Sequence, residues 1–121
     1  QCLNESLGDR KGINRMGYAY VTMDEALGFV ALDLSGRPYC VFDANWHTPA
    51  IGQYPTSLVG HFFESVAFNA RMNLHARVEY GKDDHHQAEA LFKALARSLR
   101  TAVEHDPRRA DVASTKGTLT K

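Results

Sequence analysis

The densest run of chemically competent side chains is His85-His86-Gln87-Ala88-Glu89. On a helix, His85 and Glu89 share a face at i,i+4, and His86 and Glu89 nearly do so at i,i+3. Two neutral imidazoles and a carboxylate within one turn offer three ligands to a first-row divalent cation, or serve two neighbouring ions. Adjacent side chains diverge by about 100° around the helix axis, so one histidine per ion strains the geometry less than both on one ion. A second reading stays open, in which both histidines decorate a solvated first turn and Glu89 pairs with Lys93 one turn on. His61, in Gly60-His61-Phe62-Phe63, sits on the polar side of an apolar stripe, where a structural histidine is commoner than a ligand. His75 reads as a surface or interface residue, and His47 and His105 carry no assignment.

A second constellation suits an anion. Arg37 follows a Ser-Gly turn, Lys93 lies one turn beyond Glu89, and Ser114-Thr115-Lys116-Gly117 adds hydroxyls, a cation and a flexible backbone. Guanidinium, ammonium, hydroxyl and amide donors together are what a phosphate ester needs. Taken singly, such residues are usually solvated. The charge balance narrows the partner: 14 basic and 14 acidic residues give a formal net charge of zero. That disfavours a nucleic-acid module, even one built on Arg97, Arg100, Arg108, Arg109 and Lys116, because phosphate neutralisation needs a basic surplus. It also disfavours a polybasic membrane binder, and no apolar run approaches the roughly 20 residues of a membrane span. Cys2 and Cys40 follow no CxxC spacing, which points to a reducing, cytoplasmic setting.

The elements that must position these residues follow from periodicity. Alternation predicts strands over 15–23, 29–34 and 39–42, the second with Val30, Leu32 and Leu34 inward. Residues 45–55 carry two prolines and a glycine and read as a loop. Val59, Phe62, Phe63, Val66, Ala67 and Ala70 then repeat at helical spacing, with Ser57 as N-cap. A strand over 73–80 places Leu74, Ala76, Val78 and Tyr80 inward. The longest helix runs from Asp84 to about Glu104, with Ala88, Leu91, Phe92, Leu95, Leu99, Ala102 and Val103 as its stripe. Asp83 or Asp84 caps it, Asp106-Pro107 ends it, and 108–121 reads as a polar tail. Residues 1–8 read as the last turns of a helix stopped at Gly8, as though more protein preceded them. The layout is a single β-β-β-α-β-α unit, one sheet with helices on one face, in the α+β class.

Several motifs occur together in an order that resembles one family. They are Gly8-Asp-Arg-Lys-Gly-Ile-Asn-Arg15, Met23-Asp-Glu-Ala-Leu27, Asp33-Leu-Ser-Gly-Arg-Pro38, His61-Phe-Phe-Glu-Ser65, the run from Asp84 to Arg100, and Ser114-Thr-Lys-Gly117. The chain resembles imidazoleglycerol-phosphate dehydratase along essentially its whole length.

The resemblance implies that His61, His85, His86 and Glu89 are manganese ligands, with two Mn²⁺ ions per site in the full-length enzyme. It implies substrate-phosphate contacts from Arg15, Arg37, Lys93, Ser114, Thr115 and Lys116, and Glu89 is the acid-base candidate. The expected reaction is loss of water from imidazole glycerol phosphate to give imidazole acetol phosphate. The family fold is two similar β-β-β-α-β-α halves, and its subunits form a homo-oligomeric shell of twenty-four chains. The chain departs from the family in lacking a second HHxxE motif and a further histidine, and in carrying Thr22 and Ala113 where proline is usual. It is therefore expected to be the C-terminal half, with 1–8 closing the other half and 9–121 forming the half-domain. Such a fragment is expected to be weakly active or inactive alone. The alternative is a non-catalytic metal-binding or assembly fragment of the same family.

Overall fold

In the computed structural model, which describes residues 1–119, the chain forms three helices, a four-stranded sheet and a small hairpin. The elements in order are α1 (Cys2–Leu7), β1 (Met16–Met23), β2 (Ala26–Asp33), β3 (Tyr39–Asp43), β4 (Ala50–Ile51), β5 (Tyr54–Pro55), α2 (Ser57–Ala70), β6 (Asn73–Tyr80) and α3 (Asp84–Val103). The sheet order is β1-β2-β6-β3; β1–β2 and β2–β6 are antiparallel, and β3–β6 is parallel across the α2 crossover. This is the expected α+β unit, preceded by α1, which ends at Gly8 with φ 56°.

Both long helices cover one face of the sheet, α3 over β1 and β2 and α2 over β3. Between them Val30, Leu32, Leu34, Val59, Phe63, Leu74 and Leu91 are buried. Phe42, Phe62, Phe63 and Phe92 form an aromatic cluster where α2 meets α3, with ring centroids 5.2 Å apart for Phe62 and Phe92. The opposite face carries the large side chains of β1: Met16, Tyr18 and Tyr20 are exposed, as are Tyr39, Val41 and Tyr80. Small residues face α3 instead, because the helix lies almost backbone to backbone on the sheet. Ser98 and Ala102 meet Gly17, Ala90 and Leu91 meet Gly28, and the Ser98 hydroxyl reaches the Val30 carbonyl at 3.0 Å.

Four details depart from the expected layout. Tyr80 points outward, because an irregularity in the β2–β6 register sets Leu27 opposite Tyr80 and Gly28 opposite Val78, breaking the alternation at Glu79. The loop over 45–55 contains the β4–β5 hairpin. The α2 N-cap is Thr56, whose hydroxyl donates to the Thr48 carbonyl and makes no side-chain cap bond. The segment after α3 is no free polar tail: Val112 and Leu119 are buried, Val112 bridges to Lys11, and Arg15 donates to the Ala113 carbonyl. No helix among the described residues is long and apolar enough to cross a membrane.

A buried arginine ties the first residues to the rest. Arg10 Nη2 donates to Asn4 Oδ1 at 2.5 Å and to the Ala70 carbonyl at 3.0 Å, satisfying the C-terminal end of α2.

A Cβ at Gly17 would collide with the Ser98 carbonyl oxygen, which is backbone and cannot swing away. Gly17→Ala is therefore expected to destabilise the fold by roughly 2–3 kcal/mol, the cost of overpacking a close contact. Chemical denaturation checks this; an unchanged midpoint contradicts the close approach of α3 to β1.

Candidate functional site

The site starts at the first turn of α3, where four backbone N–H groups have no partner within the helix. Asp83 is the N-cap, its carboxylate accepting from the His86 N–H at 3.0 Å. Asp84 turns to the 45–55 loop, where it accepts from the amides of His47 and Thr48 and from the Thr48 hydroxyl at 2.6 Å. Glu25, from the β1–β2 turn, accepts from the amides of Lys82 at 2.8 Å and Asp83 at 3.0 Å. Three carboxylates from the helix and a remote turn thus hold the start of α3, where their charge also favours the positive end of the helix dipole.

From that base the two histidines point apart, with ring centroids 6.4 Å apart and planes inclined at 65°. His85 Nε2 lies 3.3 Å from Glu89, and Glu89 accepts from Lys93 at 2.8 Å. Lys93 holds the Glu89 carboxyl below the usual range, with His85 adding to the effect against a smaller opposing effect of burial. His85 and Glu89 line a cleft of about 360 Å³ with Ile51, Tyr54, Val59, Ala88 and Phe92. His86 turns the other way, its Nδ1 2.6 Å from Glu25 and its Nε2 3.7 Å from Asp24. The hydrogen bond to Glu25 raises the His86 pKa. Glu25 in turn is held at about 2, first by the Asp83 amide and then by His86 and the Lys82 amide.

The predicted metal ligands are thus partly gathered. His85 and Glu89 are together, His86 stands on the neighbouring face, and His61 is exposed on α2 away from the lining of the His85 cleft. Among the described residues no three of histidine, cysteine, aspartate and glutamate converge on one point. The donor types, imidazole and carboxylate, suit a divalent manganese ion.

The anion constellation is gathered more completely. Arg15, Arg37, Ser114, Thr115 and Lys116 line a single polar pocket of about 750 Å³, together with Asn14, Arg109 and Asp111. Arg15 is fixed by a bidentate pair with Asp33 (2.6 and 2.9 Å) and by the Ala113 carbonyl. The Arg37 amide donates to Ser35 Oγ, and the Lys116 amide donates to Ser114 Oγ at 3.1 Å. Lys93 is the exception, standing on α3 beside Glu89 rather than in this pocket. Sequence reasoning gave Arg109 only a place in a disfavoured nucleic-acid surface and gave Glu25 none. Neither has a local signal: one reaches the pocket through the path of the 105–119 segment, the other acts across 61 residues of sequence.

An apolar hollow lies on the open sheet face, lined by Met16, Tyr18, Ala31 and His75 among others. It holds none of the predicted site residues.

The sequence model of imidazoleglycerol-phosphate dehydratase matches residues 1–99. The chain is 58% identical over 120 residues to the imidazoleglycerol-phosphate dehydratase of Roseiflexus sp. (strain RS-1), covering 98% of this chain and 60% of that protein. It is likewise 58% identical over 118 residues to the enzyme of that name from Listeria monocytogenes serotype 4b, covering 61% of it. The chain thus spans about 60% of the length of these curated relatives. Among solved structures it resembles the imidazoleglycerol-phosphate dehydratase of Staphylococcus aureus, with a TM-score of 0.85 at 40% identity over 88% of this chain and 62% of that one. It also resembles the Pyrococcus furiosus protein in complex with (S)-C348, with a TM-score of 0.83 at 35% identity over 97% of this chain and 63% of that one.

The Asp84 clamp yields a pH prediction. Burial pushes the Asp84 carboxyl up, but the bonds from Thr48 and the His47 and Thr48 amides outweigh it and leave its pKa below the usual value. Its stabilisation is then complete above the ordinary aspartate range, about pH 4, and is lost as pH falls through the lower folded-state value. Asp84→Asn should melt below the wild type at pH 7, with the gap closing under acid conditions. Thermal melts across that range test this; a gap independent of pH contradicts it.

Proposed function

This chain belongs to the imidazoleglycerol-phosphate dehydratase family, and from that premise we propose that it contributes to the manganese-dependent loss of water from imidazole glycerol phosphate in histidine biosynthesis. The product is imidazole acetol phosphate. The observation that carries the reading is the assembly of Arg15, Arg37, Ser114, Thr115 and Lys116 into one pocket, from segments about a hundred residues apart. Their donors bind the phosphate end of the substrate, with Arg15 held in place by Asp33.

The start of α3 serves the imidazole end. His85, His86 and Glu89, with His61 from α2, hold the manganese ions, and Lys93 adds a cation beside Glu89. Manganese held there would supply Lewis acidity toward the substrate's imidazole. Glu89 serves better as ligand than as base, because Lys93 lowers its proton affinity. Each ligand set is incomplete among the described residues, so we assign the remaining ligands to further dehydratase sequence and to neighbouring subunits of a homo-oligomeric shell. The setting is the cytoplasm. The same incompleteness favours a second reading, a metal-binding or assembly piece without turnover of its own.

Assay of this chain alone with Mn²⁺ separates the two. Negligible dehydration alone, with turnover restored when the rest of the dehydratase sequence is supplied, supports the proposal. Metal uptake without turnover in either setting favours the second reading. In an active assembly, Arg37→Ala is expected to lower kcat/KM about 10- to 100-fold, the loss of one charged hydrogen bond of roughly 1.5–3 kcal/mol. Steady-state kinetics read this directly, and an unchanged kcat/KM removes Arg37 from the phosphate site.

A further inference from the structure

His85 and His86 are neighbours in sequence but are held very differently. His85 is largely exposed, and the polar partner of its ring is Glu89, 3.3 Å from Nε2. His86 is gripped from the side opposite its Nε2. Its Nδ1 lies 2.6 Å from Glu25 Oε1, while Glu25 Oε2 accepts from the two amides immediately preceding α3. Glu25 itself comes from a two-residue turn whose flanks, Met23 and Ala26, are paired across β1 and β2. Turn, helix start and imidazole are therefore one hydrogen-bonded unit joined by Glu25, with Asp24 of the same turn 3.7 Å from His86 Nε2.

An ionised carboxylate can only accept hydrogen bonds, so the Nδ1 facing Glu25 must carry the proton. In a neutral imidazole this leaves the lone pair on Nε2, on the ring edge that faces away from Glu25. We propose that Glu25 is a positioning residue for the metal centre, fixing His86 in the tautomer and orientation that present Nε2 to a divalent cation. The inference rests on the reading of His86 as a manganese ligand and adds a residue that touches neither metal nor substrate. A partner of this kind raises the basicity of the ligating nitrogen and removes the ring rotation that binding must otherwise freeze. The asymmetry has a consequence: His86 is preorganised before metal arrives, whereas His85 must be ordered by it.

The test is a double-mutant cycle on Mn²⁺ affinity in the purified, assembled protein, read from free Mn²⁺ by electron paramagnetic resonance. The variants are Glu25→Ala, His86→Ala and the two combined. Glu25→Gln is a second, isosteric probe in case the alanine variant does not fold. Either Glu25 variant is expected to weaken Mn²⁺ binding about 10- to 100-fold, the usual cost of losing such a partner. With His86 already removed, the Glu25 substitution is expected to add nothing, because its effect passes through the imidazole. A weakening of equal size with and without His86 overturns the inference and leaves Glu25 a general support of the helix start. Unchanged affinity in both Glu25 variants overturns it as well. If His86→Ala binds Mn²⁺ as tightly as wild type, the ligand reading beneath it fails, and the inference with it. If His86→Ala is weak but the Glu25 variants are not, only the inference fails.

Discussion

Everything the site presents depends on how the first turn of α3 is held. A helix start needs hydrogen-bond acceptors, and here three carboxylates supply them or brace the turn from nearby. Asp83 takes the His86 amide, Glu25 takes the amides of Lys82 and Asp83, and Asp84 spends its oxygens on the loop that ends at α2. The same turn carries His85 and His86. Capping chemistry and the placing of the two imidazoles are thus one arrangement.

The second constraint is the intimacy of α3 with the sheet. Gly17, Gly28, Ala90, Ser98 and Ala102 let the helix lie close on β1 and β2, which brings its N-terminus within reach of the β1–β2 turn and so of Glu25. Bulkier residues there would lift the helix and carry the histidines away from their carboxylate. Small residues on this face leave the tyrosines and Met16 of β1 on the other, which explains an open, aromatic sheet surface in a chain with balanced charge.

Much of this was legible in the sequence, and the rest was hidden for identifiable reasons. The stripe of Ala88, Leu91, Leu95 and Ala102 and the acidic pair at 83–84 announce α3 because helix periodicity and capping are local. The turn after Gly8 and the inward set of β2 are local too. Tyr80 was misplaced because one irregular pairing near Leu27 reverses the alternation, and no residue type marks it. The hairpin over 50–55 has strands of two residues, too short for any period to show. The segment past α3 looks polar, yet Val112 and Leu119 are buried by contacts that depend on where the chain returns. For the site, the histidines and Glu89 were visible as a cluster, and five of the six anion-binding candidates share a pocket. Lys93 does not join them, and Glu25 and Arg109 could not be found by spacing because tertiary structure alone brings them in.

The anion pocket joins opposite regions of the chain, for Arg15 is bonded to Ala113 across 98 positions of sequence. During synthesis the sheet and both long helices are complete before Ser114, Thr115 and Lys116 have been added. Until they are added, the pocket around Arg15 and Arg37 lacks one of its walls. The pocket is thus closed by the part of the chain most distant in sequence from the arginine it surrounds.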